Sequence, residues 1–237
     1  MKTPKPEFDQ YSESYSELLH DPIRDRFAPG GIEFFHTRKR DVILSHFASQ
    51  GKDTRSMAHL DLGCGKGELV LLLQKHFSSV AGCDPSSGML KAAGLESKGI
   101  ETRVQEDPGQ IPFNGQTFDF VTAVCVFHHV PPAARLNLLK EMRRVMKPGG
   151  TLSIIEHNPY NPVTKLIVSR TPVDADAILL RPGETRSLLQ QAGFSIADQR
   201  YFLYFPESLY ARLSGLESAL EHFPLGGQYA VFGRLEK

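Results

Sequence analysis

His59-Leu60-Asp61-Leu62-Gly63-Cys64-Gly65-Lys66-Gly67, followed directly by Glu68-Leu69-Val70-Leu71-Leu72-Leu73, decides the fold of this 237-residue chain. A short apolar run ends in an acidic residue, passes through alternating glycines and continues into a stretch that reads as a buried helix. A strand that turns into a helix over glycines presents bare backbone amides to a ligand, because no Cβ stands in the way. The helix N-terminus adds a partial positive charge that favours an anionic group. The pattern is that of a nucleotide-type pocket. A dinucleotide fingerprint would place its third glycine at position 68, where Glu68 stands and would repel pyrophosphate. No Gly-Lys-Ser/Thr follows, so a P-loop is excluded as well. The loop suits a smaller anion, such as one carboxylate.

Two further landmarks lie downstream. Val80-Ala81-Gly82-Cys83 reads as a second strand ending at Asp84, 21 residues beyond Gly63, and Pro85-Ser86-Ser87 opens a helix containing Met89. An acidic residue at that distance reaches ribose hydroxyls, and a carboxylate accepts two hydrogen bonds from a vicinal diol. Asp-Pro-Ser is also ordinary helix-start chemistry, and both readings hold together. Ile100–Gln105 reads as a third strand leading into Asp107-Pro108, which suits an adenine amino group and ring but equally a polar turn. Phe118–Phe127 is a continuous apolar run fitting a central parallel strand.

On these residues the chain resembles the class I S-adenosylmethionine-dependent methyltransferases, particularly the branch that includes ubiquinone and menaquinone biosynthesis enzymes. The matching segments are Leu60–Gly67, Asp84–Ala92, Asp107–Phe113 with Phe118–Val121, His128-His129-Val130 and Arg143–Leu152, in family order. The resemblance implies a doubly wound, mostly parallel, seven-stranded Rossmann-like α/β sheet with helices on both faces and an amino-terminal helical cap. It implies S-adenosyl-L-methionine as cofactor. Backbone amides around Gly63, Cys64 and Gly65 would cradle the methionine end, with Asp61 orienting the loop or meeting the amino group. Asp84 would hold the ribose, with Pro85 and Met89 beside the adenine. Asp107 would meet the adenine amino group, with Pro108 on the ring. Cys125 would face the cofactor from the end of the fourth strand, and Tyr11 or Tyr15 would help close the pocket.

Composition fits this reading. The 27 basic residues balance the 27 acidic ones, which removes the electrostatic footprint of a general nucleic-acid binder. Arg38-Lys39-Arg40 reads as a solvated helix face. No apolar run approaches the ~18–20 residues of a membrane span, the amino terminus is polar, and three cysteines do not form a disulfide framework, so a cytoplasmic location is expected. A chain of this length suits one domain: a cap over residues 1–50, a cofactor-binding core over 55–156, a substrate-side insertion over 157–182 and the remaining sheet over 183–237. Phe8, Tyr11, Tyr15 and Leu18 recur at helical spacing, so the first 20 residues predict an amphipathic helix. Helices are expected over Ile32–Ser49, Ala133–Met146, Glu184–Ala192 and Ser208–His222. Further strands are expected over Thr151–Glu156, Phe194–Tyr204 and Gln228–Leu235.

Acceptor choice is expected after the fifth strand, where His157, Asn158, Tyr160 and Asn161 gather, although their Asn-Pro pairs are also turn chemistry. Methyl transfer needs an acceptor atom aligned opposite the leaving sulfur, and a base only if the acceptor arrives protonated. His128 and His157 are the candidates for that base, because histidine titrates near neutral pH. No metal is expected: the acidic set of the catechol-type enzymes is missing, and two adjacent histidines are not a ligand set. The expected function is methyl transfer to a small-molecule or lipid-like acceptor. A cofactor-binding regulator without catalysis and a nicotinamide-dependent oxidoreductase are the alternatives, the latter disfavoured by Glu68.

Overall fold

The structure, a computed structural model, describes residues 7–236. Strands β1 (Ala58–Leu62), β2 (Ser79–Asp84), β3 (Glu101–Val104), β4 (Phe118–Val124), β5 (Met146–His157), β6 (Phe194–Phe202) and β7 (Gln228–Leu235) form one sheet in the order β3-β2-β1-β4-β5-β7-β6. The pairs from β3 through β5 are parallel, whereas β7 runs antiparallel to both β5 and β6. The sheet is therefore mixed. The helices are α1 (Tyr15–Leu18), α2 (Pro22–Phe27), α3 (Ile32–Ser49), α4 (Glu68–Leu73), α5 (Ser87–Ala93), α6 (Pro132–Val145), α7 (Pro162–Val168), α8 (Pro182–Gln191) and α9 (Glu207–Leu220). Among the described residues no helix is long and apolar enough to cross a membrane.

Strand periodicity divides the core into two layers. On one face Leu60, Leu62, Val121 and Ile154 pack with Leu139 and Met142 of α6 and Leu189 of α8. On the other, Phe120, Ile155 and Phe232 pack with Ile43 and Phe47 of α3 and Val70 and Leu73 of α4. The central strands are buried on both faces, which is why their sequences read as apolar runs rather than alternations. Strand β1 pairs with β2 on one side and β4 on the other, so the strand order reverses there. Open α/β sheets bind ligands beyond the carboxyl ends of the strands at such a point.

The bounds expected for Ile32–Ser49 and Gln228–Leu235 coincide with α3 and β7, and the other expected elements shift by a few residues at their ends. Two expectations need correction. The first 20 residues do not form one continuous helix: the described part holds a 3-10 turn over Glu7–Tyr11 and the single turn α1. Tertiary contacts take over from helical propensity here, since the Asp9 carboxylate accepts hydrogen bonds from Ser86 Oγ at 2.6 Å and the Gly88 amide at 3.1 Å, capping α5 rather than its own helix. Nor is Arg38-Lys39-Arg40 a solvated face, because Arg38 and Lys39 are both only 6% exposed.

The Arg38 guanidinium donates to Asp41 at 2.8 Å and to the buried Glu217 of α9 at 2.9 Å, and its carbon lies 3.8 Å from the centre of the Tyr210 ring. The other Glu217 oxygen accepts the Tyr204 amide at 3.0 Å. One buried pair thus fastens α3 and α9 to the end of β6. Removing one partner of such a pair leaves a buried charge uncompensated, which costs about 3–5 kcal/mol. Glu217→Ala is expected to lose stability of that order in urea unfolding, and Glu217→Gln less, because the amide oxygen still accepts a hydrogen bond. Equal stability of both variants and the parent would show that the pair does not fasten the helices.

Candidate functional site

The loop after β1 is shaped by glycines at 63 and 65, with φ of 68° and 53°. A Cβ on Gly63 would lie 2.4 Å from Cγ2 of Val126, so that position needs glycine for space as well as for its left-handed backbone. The amides expected to cradle a ligand are already paired. Gly63 and Cys64 donate to the Cys83 carbonyl at 2.8 and 3.1 Å, and Gly65 donates to Asp84 Oδ2 at 2.9 Å. The glycines of the loop give the cavity a thin wall, and these three amides hold β2 and the Asp84 side chain.

That wall bounds a cavity of about 530 Å³, lined also by Asp61, Asp84, Pro85, Met89, Gln105 and Pro108. Asp84 is buried, its second oxygen accepts the Ser86 amide at 2.8 Å, and burial pushes its carboxyl up against the opposing effect of both amides. Asp61 accepts the Thr122 hydroxyl at 2.6 Å, and Thr122 in turn faces His59 Nε2 at 2.8 Å. Burial raises the Asp61 carboxyl to about 7, with Thr122 and Lys39 acting in the opposite direction. Lys39 reaches the same cavity from α3 and makes no salt bridge among the described residues. Asp107 is different. It is exposed, accepts the Gly109 amide at 2.8 Å and does not line the cavity, whereas the buried Gln105 does and holds the Pro108 carbonyl at 3.2 Å.

A second cavity of about 290 Å³ opens beside the first, and Tyr15, Lys39 and Cys125 line both. Phe27, Phe35, Val163, Ile167, Val168 and Leu203 make much of its wall apolar, while Arg24, His157 and Asp174 supply polar groups. Cys125 sits in the left-handed region at φ 56°, which is uncommon for a side chain with a Cβ. This twist at the end of β4 turns its thiol into the junction of the two cavities. Burial works to raise the thiol, but Lys39 and His157 outweigh it and bring it down to about 7.

Polar groups crowd one end of the second cavity. His128 Nδ1 meets Glu156 Oε2 at 2.5 Å, Glu156 Oε1 accepts the Phe127 amide at 2.7 Å, and His128 Nε2 lies 3.4 Å from Asp174 Oδ1. Burial disfavours charge on His128, yet the two carboxylates hold its pKa well above the ordinary value. Burial, together with the neighbouring His128, lowers His129 to about 4. Buried Arg135 fixes the turn beneath, donating to the carbonyls of Val130 at 3.0 Å and Ile178 at 2.7 Å.

The topology therefore gathers Asp61, Gly63, Cys64, Gly65, Asp84, Pro85, Met89, Pro108, Cys125 and Tyr15 around the first cavity, and His128 and His157 around the second. It leaves other expected residues elsewhere. Asn158 is wholly buried and donates to the carbonyls of Pro224 and Gly226, and Tyr160 is 50% exposed and lines neither cavity. Asn161 reaches the second cavity, but its side chain caps α7 by accepting the Thr164 amide at 3.0 Å. Lys39, Glu156 and Asp174 are the residues that linear reading missed. Lys39 had one signal: three consecutive bases on a helix cannot all face solvent, since each residue turns about 100°.

A family model described as a methyltransferase domain matches residues 60–154. An uncharacterized methyltransferase of Synechocystis is 30% identical over 186 residues, 76% of this chain and 82% of that protein. A demethylmenaquinone methyltransferase of Lactobacillus johnsonii is 36% identical over 116 residues, 45% of this chain and 47% of its own, so the chain spans about half the length of that relative. The fold is also that of a solved S-adenosylmethionine-dependent methyltransferase from Thermotoga maritima, at a TM-score of 0.69 and 17% identity over 97% of this chain and 98% of that one. With the strand order, the glycine turn and two confluent cavities at the switch point, these matches place the chain in a family: it belongs to the class I S-adenosylmethionine-dependent methyltransferases.

Proposed function

We propose that the chain transfers the methyl group of S-adenosylmethionine to a small acceptor with an apolar body and an oxygen-bearing polar end. The observation that carries this reading is the pair of cavities meeting at Cys125, one walled by the glycine turn and two buried carboxylates, the other largely apolar with a polar end. In this reading Asp84 holds the ribose hydroxyls through its remaining lone pairs, and Pro85, Met89 and Pro108 flank the adenine. Asp61 meets the α-ammonium, and Lys39 rather than the loop amides meets the α-carboxylate. The Lactobacillus johnsonii relative acts, by its name, on demethylmenaquinone, which supports a flat oxygenated ring as the acceptor.

The residues do little covalent work. The cofactor supplies a sulfonium-activated methyl group, and an acceptor atom must be held roughly 3–3.5 Å from it and in line with sulfur. Residues 7–27 act in this proposal as the cap, with Tyr15 between the two ligands and Asp9 anchoring the segment to α5. The segment 157–182, which carries α7 and Asp174, forms the acceptor side. His128 and His157 position the acceptor's polar end. His128, whose Nδ1 is held by Glu156, presents its Nε2 to that end.

Three outcomes test this reading. Incubation with labelled cofactor and a panel of naphthoquinols, phenols and amines is expected to give methylated quinol or phenol with S-adenosylhomocysteine. Methylation of amines alone would overturn the acceptor class, and tight cofactor binding with no transfer to any member would favour a non-catalytic regulator. Titration calorimetry tests the cofactor contacts: Lys39→Met and Asp84→Ala should each weaken binding by about 1–3 kcal/mol, roughly 5- to 150-fold, with Tyr160→Phe unchanged. Undiminished affinity in Lys39→Met would return the carboxylate to another group.

The third outcome concerns pH. Free Asp61 is protonated below about 7, and the cofactor's ammonium favours the carboxylate, so binding below that pH must release a proton. Affinity should fall as pH drops from 7 to 5.5, by up to about tenfold per unit. A second decline is expected above about pH 8, where the ligand's own α-ammonium deprotonates. Asp61→Asn should flatten the acidic limb only. An unaltered acidic limb in that variant would remove Asp61 from the ammonium site.

A further inference from the structure

We infer that the polar end of the second cavity is a binding site for a divalent transition metal, with His128 Nε2, His157 and Asp174 as its protein ligands. The three residues come from the turn after β4, the end of β5 and the segment following α7, and each offers one ligand atom within 4.8 Å of the others. His128 Nε2 and Asp174 Oδ1 are 3.4 Å apart. Two ligands at about 2.0–2.1 Å from one tetrahedral ion are separated by about 3.3 Å, so this edge of the site is already at its bound length.

A second observation is independent of that spacing. His128 is 1% exposed, and its Nε2 has no hydrogen-bond partner of good geometry among the described residues. An unpartnered buried ring nitrogen needs an occupant, either a proton shared with Asp174 or a cation in the same place. The other side of the ring matches the surroundings of a metal ligand. A ligating histidine commonly directs its second nitrogen to a carboxylate that fixes the tautomer and ring orientation. Glu156 does this at Nδ1, and is itself held by the Phe127 amide. The frame is rigid, because the Ile178 amide donates to the His128 carbonyl at 2.8 Å and Arg135 clamps the same two segments.

Two imidazoles and one carboxylate suit zinc, cobalt, manganese or ferrous ions and are poor ligands for magnesium or calcium. Three protein ligands leave coordination positions directed into the cavity. An acceptor hydroxyl bound there loses its proton to solvent. The resulting anion then forms its bond to the methyl carbon as the carbon–sulfur pair returns to sulfur, leaving a neutral thioether. This chemical role rests on the methyl-transfer reading, whereas occupancy of the site does not.

The test is cobalt titration of chelator-treated full-length protein, followed by visible absorption and by calorimetry, without cofactor. One equivalent should bind with the ligand-field bands of a nitrogen–oxygen site. His157→Ala and Asp174→Asn, whose side chains reach the cavity and leave the core intact, should each weaken binding by roughly 100-fold. Glu156→Gln, a positioning change, should weaken it roughly 10- to 100-fold. His20→Ala and His222→Ala, at exposed histidines, should change nothing. No uptake, or uptake lost only in the exposed-histidine variants, would overturn the site. Cofactor affinity of the same metal-free protein is read separately, so a missing metal site and a missing cofactor site give different results.

Discussion

The carboxylate of Asp84 is the constraint on which the rest of this molecule depends. One oxygen takes the Gly65 amide and the other the Ser86 amide, so a single buried side chain joins the loop after β1 to the start of α5. A carboxylate accepting two backbone amides is stabilised as an anion, and a carboxylate buried as deeply as this one is destabilised. Here burial prevails and raises the group, leaving a site that gains from any further donor. The same helix start is capped a second time by Asp9, which ties the amino-terminal segment to α5. A carboxylate with these two backbone partners cannot be removed without loosening both the loop and the helix start.

The polar end of the second cavity is organised by opposite means. Glu156 is fully buried at the end of β5, with both oxygens engaged by the turn after β4. Arg135 then ties that turn to the Ile178 carbonyl in the segment before α8 and to Glu184 in the first turn of α8. Buried ionic networks are stable only when every member is satisfied. This one is satisfied almost everywhere, and its open member is the face of His128 that looks into the cavity. The strain at Cys125 fits the same picture. A left-handed non-glycine residue persists only where its surroundings over-determine it, and here the Cys125 amide is held by the Ile155 carbonyl at 2.8 Å.

Much of the fold was legible because the relevant signals are local. The apolar runs of β1 and β4, the glycine turn and the helix-start chemistry of Asp84-Pro85-Ser86 are all read within a few residues, and Ser86 does cap α5. The site was legible only where a local motif fixes the direction of a side chain. Lys39 was misread because a run of three bases looks solvent-directed, while its helix is apolar on both flanks and turns the middle residue inward. Asn158 was misread for the converse reason. Gathered polar residues suggest a ligand, but this amide spends its donors on two carbonyls of the chain segment before β7, a debt no linear pattern reveals. Asp174 could not be found at all, since its proximity to His128 is created by the fold across 46 residues of sequence.

The distribution of charge gives the two cavities their order. Asp61 and Asp84 lie on the first, Asp174 lies on the second, and Lys39 stands between them with Cys125. In a low-dielectric pocket each of these charges acts over several ångströms. On the proposed reading, a cationic cofactor in the first cavity meets two carboxyls that burial has raised, and its charge favours their ionised form. The second cavity holds Arg24, His128, His157 and Asp174 in a wall that is otherwise largely apolar. On the proposed reading, these electrostatics admit the sulfonium on one side and leave the other to the uncharged body of an acceptor, with its polar end toward the histidines.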